Sequence, residues 1–308
     1  MIHQSQKMPI YQLLASKQFD YMNIAITGSS GMLGSSFVNF FKSNKINYFT
    51  VDRKHFSINH DVDNIIKYFK SKEISIIIHC AANTDVEFCE KNPRKCFNDN
   101  VELTKNLVKT CKKLNIKFVF ISSTGVYGDY KKTPFNESDF TKPKTIYHKS
   151  KLMAENEIID KLEYYIIIRT GWLFGGNKNS PKNFVRNRLL EAQNSKDIIK
   201  SNIDQHGNPT FTEDVVSNTY SLIKNDHIGL YNCVNKGFAT RYEYVNEILK
   251  NDGRKNKIEP VRKSEFNRLA NVSNNEMANN KNLNKVGLNK MPDWKKSLKK
   301  YMSNIDDK

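Results

Sequence analysis

The stretch Met22-Asn-Ile-Ala-Ile-Thr-Gly-Ser-Ser-Gly-Met-Leu-Gly34 and the apolar-periodic run that follows it to Phe41 predict a strand, a tight turn and a helix. Gly28, Gly31 and Gly34 have the spacing G-x-x-G-x-x-G. Because these residues lack a Cβ, backbone amides can approach a pyrophosphate, and the helix can pack closely on the strand. The same spacing also occurs in ordinary glycine-rich turns, so the stretch alone leaves both interpretations open.

Asp52 favours the phosphate-binding interpretation. It follows the apolar run Tyr48 to Val51 and lies 18 residues after Gly34, close to the spacing at which a carboxylate holds the adenosine ribose. The combination predicts a dinucleotide site. The Asp52 carboxylate would accept hydrogen bonds from both ribose hydroxyls of NADH and repel a 2′-phosphate, whereas the adjacent cations Arg53 and Lys54 would pair with that phosphate. Because the two effects oppose each other, the sequence does not choose between NADH and NADPH.

The composition limits the class of protein. A chain of 308 residues can bury a substantial core. Its formal charge of +17 raises nucleic acid as a partner, but 40 of the 49 basic residues are lysines scattered along the chain, which is typical of a solvated basic surface. No apolar run approaches the roughly 20 residues that span a bilayer, and residues 1–21 lack the apolar segment of a signal peptide. The five cysteines form no C-x-x-C pair, so we expect free thiols in a cytoplasmic protein. From the scattered charge and the short apolar runs, we expect neither a nucleic-acid partner nor a membrane partner.

Strand and helix patterns alternate as far as residue 170. Further strands are predicted at Ile74 to His79, Lys117 to Ser122 and Tyr164 to Arg169, with helix patterns between them. One long helix pattern begins at Pro93, and the last helix is predicted over Pro292 to Met302. This alternation predicts an α/β fold, a Rossmann-type doubly wound parallel sheet.

Three parts of the chain are expected to differ in role. We expect an N-terminal extension over residues 1–21, an NAD(P)-binding Rossmann domain over 22–170, and a smaller, irregular substrate-binding lobe over 171–308. Part of 205–234 is expected to return to the Rossmann domain. Residues 262–290 are rich in Asn and Lys, a composition that is typical of disorder. Because apolar residues from Phe266 to Leu288 can pack into a core, we expect this segment to be ordered.

Candidate chemistry lies on one predicted helix and at one strand end. Tyr147 and Lys151 are four residues apart, so both side chains leave the same helix face. A neighbouring ammonium that favours the phenolate would bring the pKa of the phenol toward neutrality. Ser122, Ser123 and Thr124 follow a strand at the carboxyl edge, where open α/β sheets bind ligands and a hydroxyl can bond a substrate carbonyl. Taken alone, these patterns also fit a solvated surface pair and a plain turn.

A neighbouring strand end contributes small residues. Ala81 and Ala82 follow the strand that ends at His79, and they would admit a cofactor. His79 itself stands inside an apolar run, so we interpret it as a hydrogen-bonded core histidine rather than a catalyst.

Several motifs together carry a family resemblance: Gly28-x-x-Gly-x-x-Gly34, His79-Cys-Ala-Ala82, Asn100 in Asn-Val-Glu-Leu-Thr, Ser-Ser-x-x-Val-Tyr-Gly128 and Tyr147-x-x-x-Lys151. The chain resembles the extended short-chain dehydrogenase/reductases over residues 22–170. Further motifs continue almost to the C-terminus, namely Arg169-Thr-Gly-Trp-Leu-Phe-Gly175, Asn183-Phe184, Asp204-Gln-His-Gly-Asn-Pro-Thr210, Arg268-Leu-Ala-x-x-x-Asn-Asn and Pro292-Asp-Trp-Lys. Within that superfamily they are similar to the dTDP-4-dehydrorhamnose reductase family.

The resemblance implies NAD(P)H-dependent reduction of the 4-keto group of a nucleotide-linked 4-keto-6-deoxyhexose, in the synthesis of activated deoxysugars for surface polysaccharide. It implies Tyr147 as proton donor, Lys151 as its electrostatic partner, and Ser123 as the hydroxyl that bonds the carbonyl. Thr124 and Trp172 are the further substrate contacts, no metal ligand is matched, and a homodimer is compatible with the family. The expected cofactor contacts are Gly28, Ser30, Gly31, Met32, Leu33, Asp52, Arg53, Asp61, Ala81, Ala82, Asn100, Tyr147 and Lys151. Asn100 also matches an asparagine that organises the site in this family rather than reacting.

Departures from related families narrow the reaction. Sugar-nucleotide dehydratases carry an acidic residue in the Ser-x-x-Val-Tyr-Gly turn, and GDP-fucose synthases carry a Cys there, whereas this chain has Thr124 and Gly125. Both departures argue for simple reduction. Two alternatives stay open, a nucleotide-sugar 4-epimerase that holds NAD tightly and a regulatory subunit that keeps the fold without catalysis.

Overall fold

A computed structural model describes residues 22–52, 62–176, 180, 182–194 and 198–304. Its strands, in chain order, are β1 (Ile24–Thr27), β2 (Tyr48–Val51), β3 (Ile76–His79), β4 (Lys117–Ser123), β5 (Tyr165–Thr170), β6 (Leu173–Phe174), β7 (Ile198–Asn202), β8 (His206–Gly207), β9 (Thr210–Phe211), β10 (Gly229–Asn232), β11 (Ala239–Thr240) and β12 (Lys257–Val261).

The helices surround and extend this set of strands. In chain order they are α1 (Met32–Ser43), α2 (Val62–Ser71), α3 (Val86–Lys91), α4 (Pro93–Phe97), α5 (Leu103–Leu114), α6 (Ile146–Lys161), α7 (Phe184–Asn194), α8 (Thr212–Lys224), α9 (Arg241–Asn251), α10 (Lys281–Lys285) and α11 (Trp294–Ser303). A π-helical turn, Asn98–Glu102, joins α4 to α5, and short 3-10 turns cover Thr124–Tyr127 and Lys263–Glu265.

One parallel sheet of six strands forms the centre of the molecule. Its order is β10-β5-β4-β3-β1-β2, and every neighbouring pair is parallel. Alternate residues of each strand face opposite sides, so Ile24 and Ile26 pack toward α1 and α8, whereas Ala25 packs toward α2, α5 and α6. Helices therefore cover both faces, which confirms the predicted doubly wound α/β fold.

The strand order reverses beside β1. The chain runs from β1 outward to β2 and then returns to the other side of β1 to form β3. Open α/β sheets bind ligands at the carboxyl ends of the strands that flank such a reversal. Here those ends are the turn after Thr27 and the segment after His79.

Most predicted helices and strands are found, but two helices differ from their predictions. The pattern that begins at Pro93 is not one regular helix, because the π turn Asn98–Glu102 interrupts it. The last helix begins at Trp294 rather than at Pro292 as predicted. Asp293 caps this helix, since its side chain accepts a hydrogen bond of 2.9 Å from the Lys295 amide, and a capping residue precedes the first helical turn.

The C-terminal part of the chain divides between two cores. Strand β10 joins the main sheet beside β5, and α8 packs on α1. A separate apolar cluster, built around Phe174, Tyr244 and Trp294, forms the core of a C-terminal lobe. The predicted burial along 262–290 holds for Leu283, but Phe266 and Leu269 are 37% and 60% exposed, so that part of the expectation is wrong.

Three further features of the fold bear on the sequence predictions. His79 is buried, and its two ring nitrogens lie 2.7 Å from Thr27 Oγ1 and 3.1 Å from Thr104 Oγ1, which confirms a hydrogen-bonded core histidine. All five cysteines are free thiols. Within the described ranges, no helix is both long enough and apolar enough to cross a bilayer.

Candidate active site

A cavity of about 1180 Å³ lies at the carboxyl edge of the main sheet, between the sheet and the C-terminal lobe. The turn after β1, the segments after β3 and β4, and the first turns of α6 line one part of it. Residues of the C-terminal lobe line the rest. The cavity is therefore placed at the strand reversal where this fold binds ligands.

The glycine turn between β1 and α1 has the shape of a phosphate cradle. Gly28 has φ +67°, and a Cβ on it would lie only 2.6 Å from the Ala81 amide nitrogen. A Cβ on Gly34 would lie 2.0 Å from the Gly28 carbonyl oxygen, so the turn and the helix are packed backbone against backbone. Gly31 caps the helix, and no side chain caps its first-turn amides. Those amides therefore fit an anionic pyrophosphate.

Most of the expected cofactor contacts face this cavity. They are Gly28, Ser30, Gly31, Met32, Leu33, Asp52, Ala81, Ala82, Tyr147 and Lys151. Arg53 and Asp61 lie outside the described residues. The uncapped backbone amides of the glycine turn fit the pyrophosphate of a dinucleotide. The Asp52 carboxylate at the end of β2 fits its ribose.

Asn100 has a different position from the expected cofactor contacts that line the cavity. It is buried behind the cavity wall and is not one of the lining residues. Its Oδ1 accepts a hydrogen bond of 2.7 Å from the Asn83 amide, and its Nδ2 donates to the Asn83 carbonyl at 3.0 Å and to Ser150 Oγ at 2.9 Å. Asn100 thus ties the segment after β3 to α6. These bonds fit the organising role that the resemblance implies, and a direct contact of Asn100 with the cofactor stays a prediction.

Tyr147 and Lys151 both reach the cavity from α6. Thr145 starts this helix by accepting a hydrogen bond of 3.2 Å from the His148 amide, and Glu90 accepts one of 2.7 Å from the Ile146 amide. These two contacts fix where the first helical turn sits. Tyr147 and Lys151 are consequently brought to the same wall of the cavity as the glycine turn.

The charge states of this pair are governed by burial. Burial lowers the pKa of Lys151 to about 7, and the carboxylate of Glu155 offsets part of that effect. The Lys151 ammonium lies 3.9 Å from the centre of the Phe120 ring. Burial also raises the pKa of Tyr147 above its ordinary value. The prediction that Lys151 would bring the pKa of this phenol toward neutrality is therefore wrong for the protein by itself, because desolvation of the phenolate dominates.

The two hydroxyls at the end of β4 have different positions. Ser123 lines the cavity, and its Oγ accepts a hydrogen bond of 3.2 Å from the Gly125 amide, which leaves the hydroxyl proton to donate. Thr124 is buried and does not line the cavity. Its Oγ1 has no hydrogen-bond partner among the described residues, and a Cβ on Gly171 would lie 2.3 Å from it. Thr124 thus lies behind the lining residue Gly171, and its expected contact with the substrate stays a prediction.

Trp172 lines the part of the cavity that the C-terminal lobe covers. Its indole Nε1 donates a hydrogen bond of 3.0 Å to Glu276 Oε2, and the Arg241 guanidinium lies 3.5 Å from the centre of its ring. The lobe also reaches back to the Rossmann part. Arg268 Nε lies 2.8 Å from Glu87 Oε1, and the amide of Leu269 donates to the same carboxylate at 3.0 Å. These bonds hold the segment that carries Arg268 over the cavity.

Comparison with known proteins assigns this architecture to a family. The chain matches the RmlD substrate binding domain family over residues 22–306. It belongs to this family. The chain is 26% identical over 279 residues to the spore coat polysaccharide biosynthesis protein SpsK of Bacillus subtilis, covering 91% of this chain and 96% of that protein.

Two solved structures are similar over nearly the whole chain. The dTDP-4-dehydrorhamnose reductase of Clostridium acetobutylicum is 29% identical, with a TM-score of 0.87, and the match covers 92% of this chain and 100% of the other. The dTDP-4-dehydrorhamnose reductase of Bacillus anthracis, in complex with NADP, is 25% identical, with a TM-score of 0.86, and covers 92% and 99%. The predicted membership of the extended reductases, made from the motifs alone, is confirmed.

Sequence reasoning gave no role at the site to the charged residues that this RmlD-family chain brings to the cavity from its C-terminal lobe, although Arg268 belongs to a motif of the resemblance. They are Lys182, Arg241, Arg268 and Glu276. Arg241 had a detectable signal, since it follows Thr240, whose capping box with Glu243 marks the start of α9. Glu276 had none, because it stands in an Asn-rich segment without periodicity. Across the described ranges, no cluster of three or more His, Cys, Asp or Glu side chains is arranged to hold a metal ion.

Proposed function

We propose that this protein is an NAD(P)H-dependent oxidoreductase that reduces the 4-keto group of a nucleotide-linked 4-keto-6-deoxyhexose, in the synthesis of activated deoxysugars for surface polysaccharide. The observation that carries the proposal is that Ser123, Tyr147 and Lys151 line the same cavity as the glycine turn. Membership of the RmlD family over residues 22–306 and the relatives named dTDP-4-dehydrorhamnose reductase support the sugar-nucleotide substrate.

Each residue of the trio has a separate task in this reaction. The reduced nicotinamide supplies the hydride that becomes the hydrogen on C4. Tyr147 donates the phenolic proton to the carbonyl oxygen, which becomes the hydroxyl, and its raised pKa keeps that proton in place until it is needed. Ser123 donates a hydrogen bond to the same oxygen and so orients the carbonyl. Lys151, when charged, stabilises the phenolate that the proton transfer leaves behind.

The cations of the C-terminal lobe suit an anionic substrate. Lys182, Arg241 and Arg268 line the cavity together with Trp172. Guanidinium and ammonium groups are the side chains that bind phosphate oxygens, and an aromatic ring adds an apolar wall. We assign this side of the cavity to the sugar nucleotide and the side with the glycine turn to the dinucleotide.

The test offers candidate NDP-4-keto-6-deoxyhexoses with NADPH or NADH and follows the loss of the reduced nicotinamide absorbance. The proposal expects stoichiometric oxidation of the cofactor, with a 6-deoxyhexose reduced at C4 as the product. Purified protein that carries bound NAD and interconverts C4 epimers without net oxidation would instead make it a 4-epimerase. Cofactor binding without turnover on any of these sugars would favour the regulatory-subunit alternative.

The cytoplasmic location and the homodimer stay predictions. The +17 charge and the described fold are compatible with both. Light scattering after size-exclusion chromatography measures the oligomeric state, and a mass near 35.7 kDa would contradict the dimer.

A further inference from the structure

Trp172 has an unusual backbone conformation for a bulky residue. Its φ is +48°, in the left-handed region that favours glycine. The Trp172 carbonyl accepts a hydrogen bond of 3.1 Å from the Thr210 amide, which fixes the main chain on its C-terminal side. Such a conformation persists only where surrounding contacts over-determine it, and it is often found at functional sites.

The contacts that hold the indole come from separate segments of the C-terminal lobe. Gly207 in β8 packs directly on the ring, since a Cβ there would lie 2.4 Å from Trp172 Cε2. Arg241, the first residue of α9, places its guanidinium 3.5 Å from the ring centre. Glu276 accepts the indole N–H at 3.0 Å. Three separate segments of the lobe therefore meet at this one ring.

Glu276 is itself held by the main chain of β8. Its amide donates a hydrogen bond of 2.8 Å to the His206 carbonyl, one residue before Gly207. Next to it, Asn275 Nδ2 donates to the carbonyls of Lys131 and Thr133 at 2.8 and 3.0 Å. The backbone that carries the Glu276 carboxylate is thus hydrogen-bonded to β8 and held by Asn275 to the segment 131–133. A positioning residue needs such support.

We propose that Glu276 is a positioning residue that fixes the Trp172 indole as a wall of the sugar-nucleotide part of the cavity. It thereby sets the affinity for the sugar nucleotide and leaves the affinity for the dinucleotide unchanged. The effect on the KM for the sugar nucleotide rests on the proposed function, whereas the contact between Glu276 and the indole does not. A carboxylate acceptor makes a charge-assisted hydrogen bond, which is stronger than a neutral one and directional.

Kinetics with three variants separate the hydrogen bond from the charge. Glu276→Ala removes the acceptor, and we expect the KM for the sugar nucleotide to rise by about tenfold with an unchanged KM for NADPH. Glu276→Gln keeps an acceptor oxygen without the charge, and we expect it to recover part of the loss, because the hydrogen bond that remains is neutral and weaker. Glu265→Gln is the matched control, because this exposed carboxylate in the same part of the chain contacts Lys200 at 3.8 Å and lies away from the cavity. A Gln variant as impaired as the Ala variant would overturn the proposal in favour of a charge effect on Tyr147.

A double-variant cycle tests whether Glu276 acts through the indole. Phe at position 172 keeps an aromatic wall but has no N–H to donate. We expect Glu276→Ala to have little further effect on the sugar-nucleotide KM in a Trp172→Phe background, because the contact is already absent. An undiminished effect in that background would show that Glu276 binds the substrate directly and would overturn the proposal.

A spectroscopic readout needs no substrate. The chain has two tryptophans, so a ¹H–¹⁵N correlation spectrum of the full-length protein contains two indole N–H signals, and Trp172→Phe identifies one of them by its loss. We expect Glu276→Ala to shift the Trp172 signal and leave the Trp294 signal in place, since Trp294 belongs to the buried core of the lobe. An unmoved Trp172 signal would overturn the positioning role whether or not the protein reduces any sugar nucleotide. A shifted signal combined with no turnover on any sugar would instead remove only the proposed function.

Discussion

Glu155 and Arg169 form a salt bridge that is closed to solvent and joins α6 to β5. Glu155 Oε2 lies 2.6 Å from Arg169 Nη2, and Glu155 Oε1 lies 3.0 Å from Arg169 Nε. Ser122 donates a further hydrogen bond to the same carboxylate. The guanidinium lies 4.7 Å from the centre of the Tyr127 ring. The geometry satisfies both charges, so removal of one partner would leave the other charged and buried.

The first prediction follows from that burial. Glu155→Ala should lower the free energy of unfolding by about 3–5 kcal/mol, because the Arg169 guanidinium would lose its counter-ion. The double variant Glu155→Met, Arg169→Met should lose less than the single variant, since no uncompensated charge remains. Urea denaturation measures both. Glu157→Ala is the control on the same helix, because its ion pair with the exposed Lys161 should contribute less than about 1 kcal/mol. Equal losses in Glu155→Ala and Glu157→Ala would contradict the prediction.

The second prediction concerns proton donation. Tyr147→Phe should lower kcat by ~10² to 10⁴, the usual effect of losing a positioned acid, and leave the Kd for NADPH nearly unchanged. Cofactor affinity should persist because the glycine turn holds the pyrophosphate. Steady-state kinetics and calorimetric titration measure the two effects, with Tyr164→Phe, an exposed tyrosine, as the control. An unchanged kcat would remove Tyr147 from the mechanism.

The third prediction is a pH dependence of stability. The pKa of Lys151 falls to about 7 in the folded protein from an ordinary value of 10.5. Between these values the unfolded chain binds more protons, so the destabilisation by Lys151 is complete below pH 7 and decreases as the pH rises. Lys151→Met should therefore stabilise the cofactor-free protein by roughly 1–3 kcal/mol at pH 6 and by less at pH 9. Denaturation at the two pH values decides it, and Lys149→Met, at an exposed site on α6, should show no such difference. If the stabilisation by Lys151→Met increased with pH, the pKa of Lys151 would not be lowered by folding and the prediction would be contradicted.

The fourth prediction separates two glycines of the turn. A Cβ on Gly31 meets only the Gly28 carbonyl oxygen, at 3.2 Å, whereas a Cβ on Gly34 would overlap that atom at 2.0 Å. Gly31→Val should fold but lose the thermal stabilisation that NADPH gives the wild type, because a branched side chain would stand where the backbone approaches phosphate. Gly34→Val should fail to fold. If NADPH stabilises Gly31→Val as much as wild type, the turn is not the phosphate site.

The fifth prediction concerns cofactor preference. Asp52 lines the cavity at the end of β2, while its neighbour Arg53 lies outside the described residues. Because their effects on a 2′-phosphate oppose each other, kcat/KM for NADH and NADPH should agree within about tenfold, or ~1.4 kcal/mol. Asp52→Ala should shift the preference toward NADPH, and Arg53→Ala toward NADH. A wild type more than about a hundredfold selective would contradict this balance.

Local sequence determined the framework of this protein. The period of the apolar residues predicted the strands and helices of the sheet, and the spacing of Gly28, Gly31 and Gly34 predicted the turn at its carboxyl edge. Tyr147 and Lys151 were paired by the helical repeat alone, and both reach the cavity. These predictions succeeded because each depends on residues that are near one another in the chain, where backbone geometry relates spacing to direction.

Tertiary packing decided which side chains meet at the site. Glu276 contacts Trp172, which lies 104 residues away in the sequence, and no pattern of apolar residues predicts that contact. Packing also buried Asn100 and Thr124 behind the cavity wall, where their neighbours Asn83 and Gly171 are the lining residues. It raised the pKa of Tyr147 where the sequence predicted the opposite, because burial depends on everything that covers the ring. The sequence by itself thus determined the fold and the position of the cavity, and only the packing of the two parts of the chain decided the wall that faces the substrate.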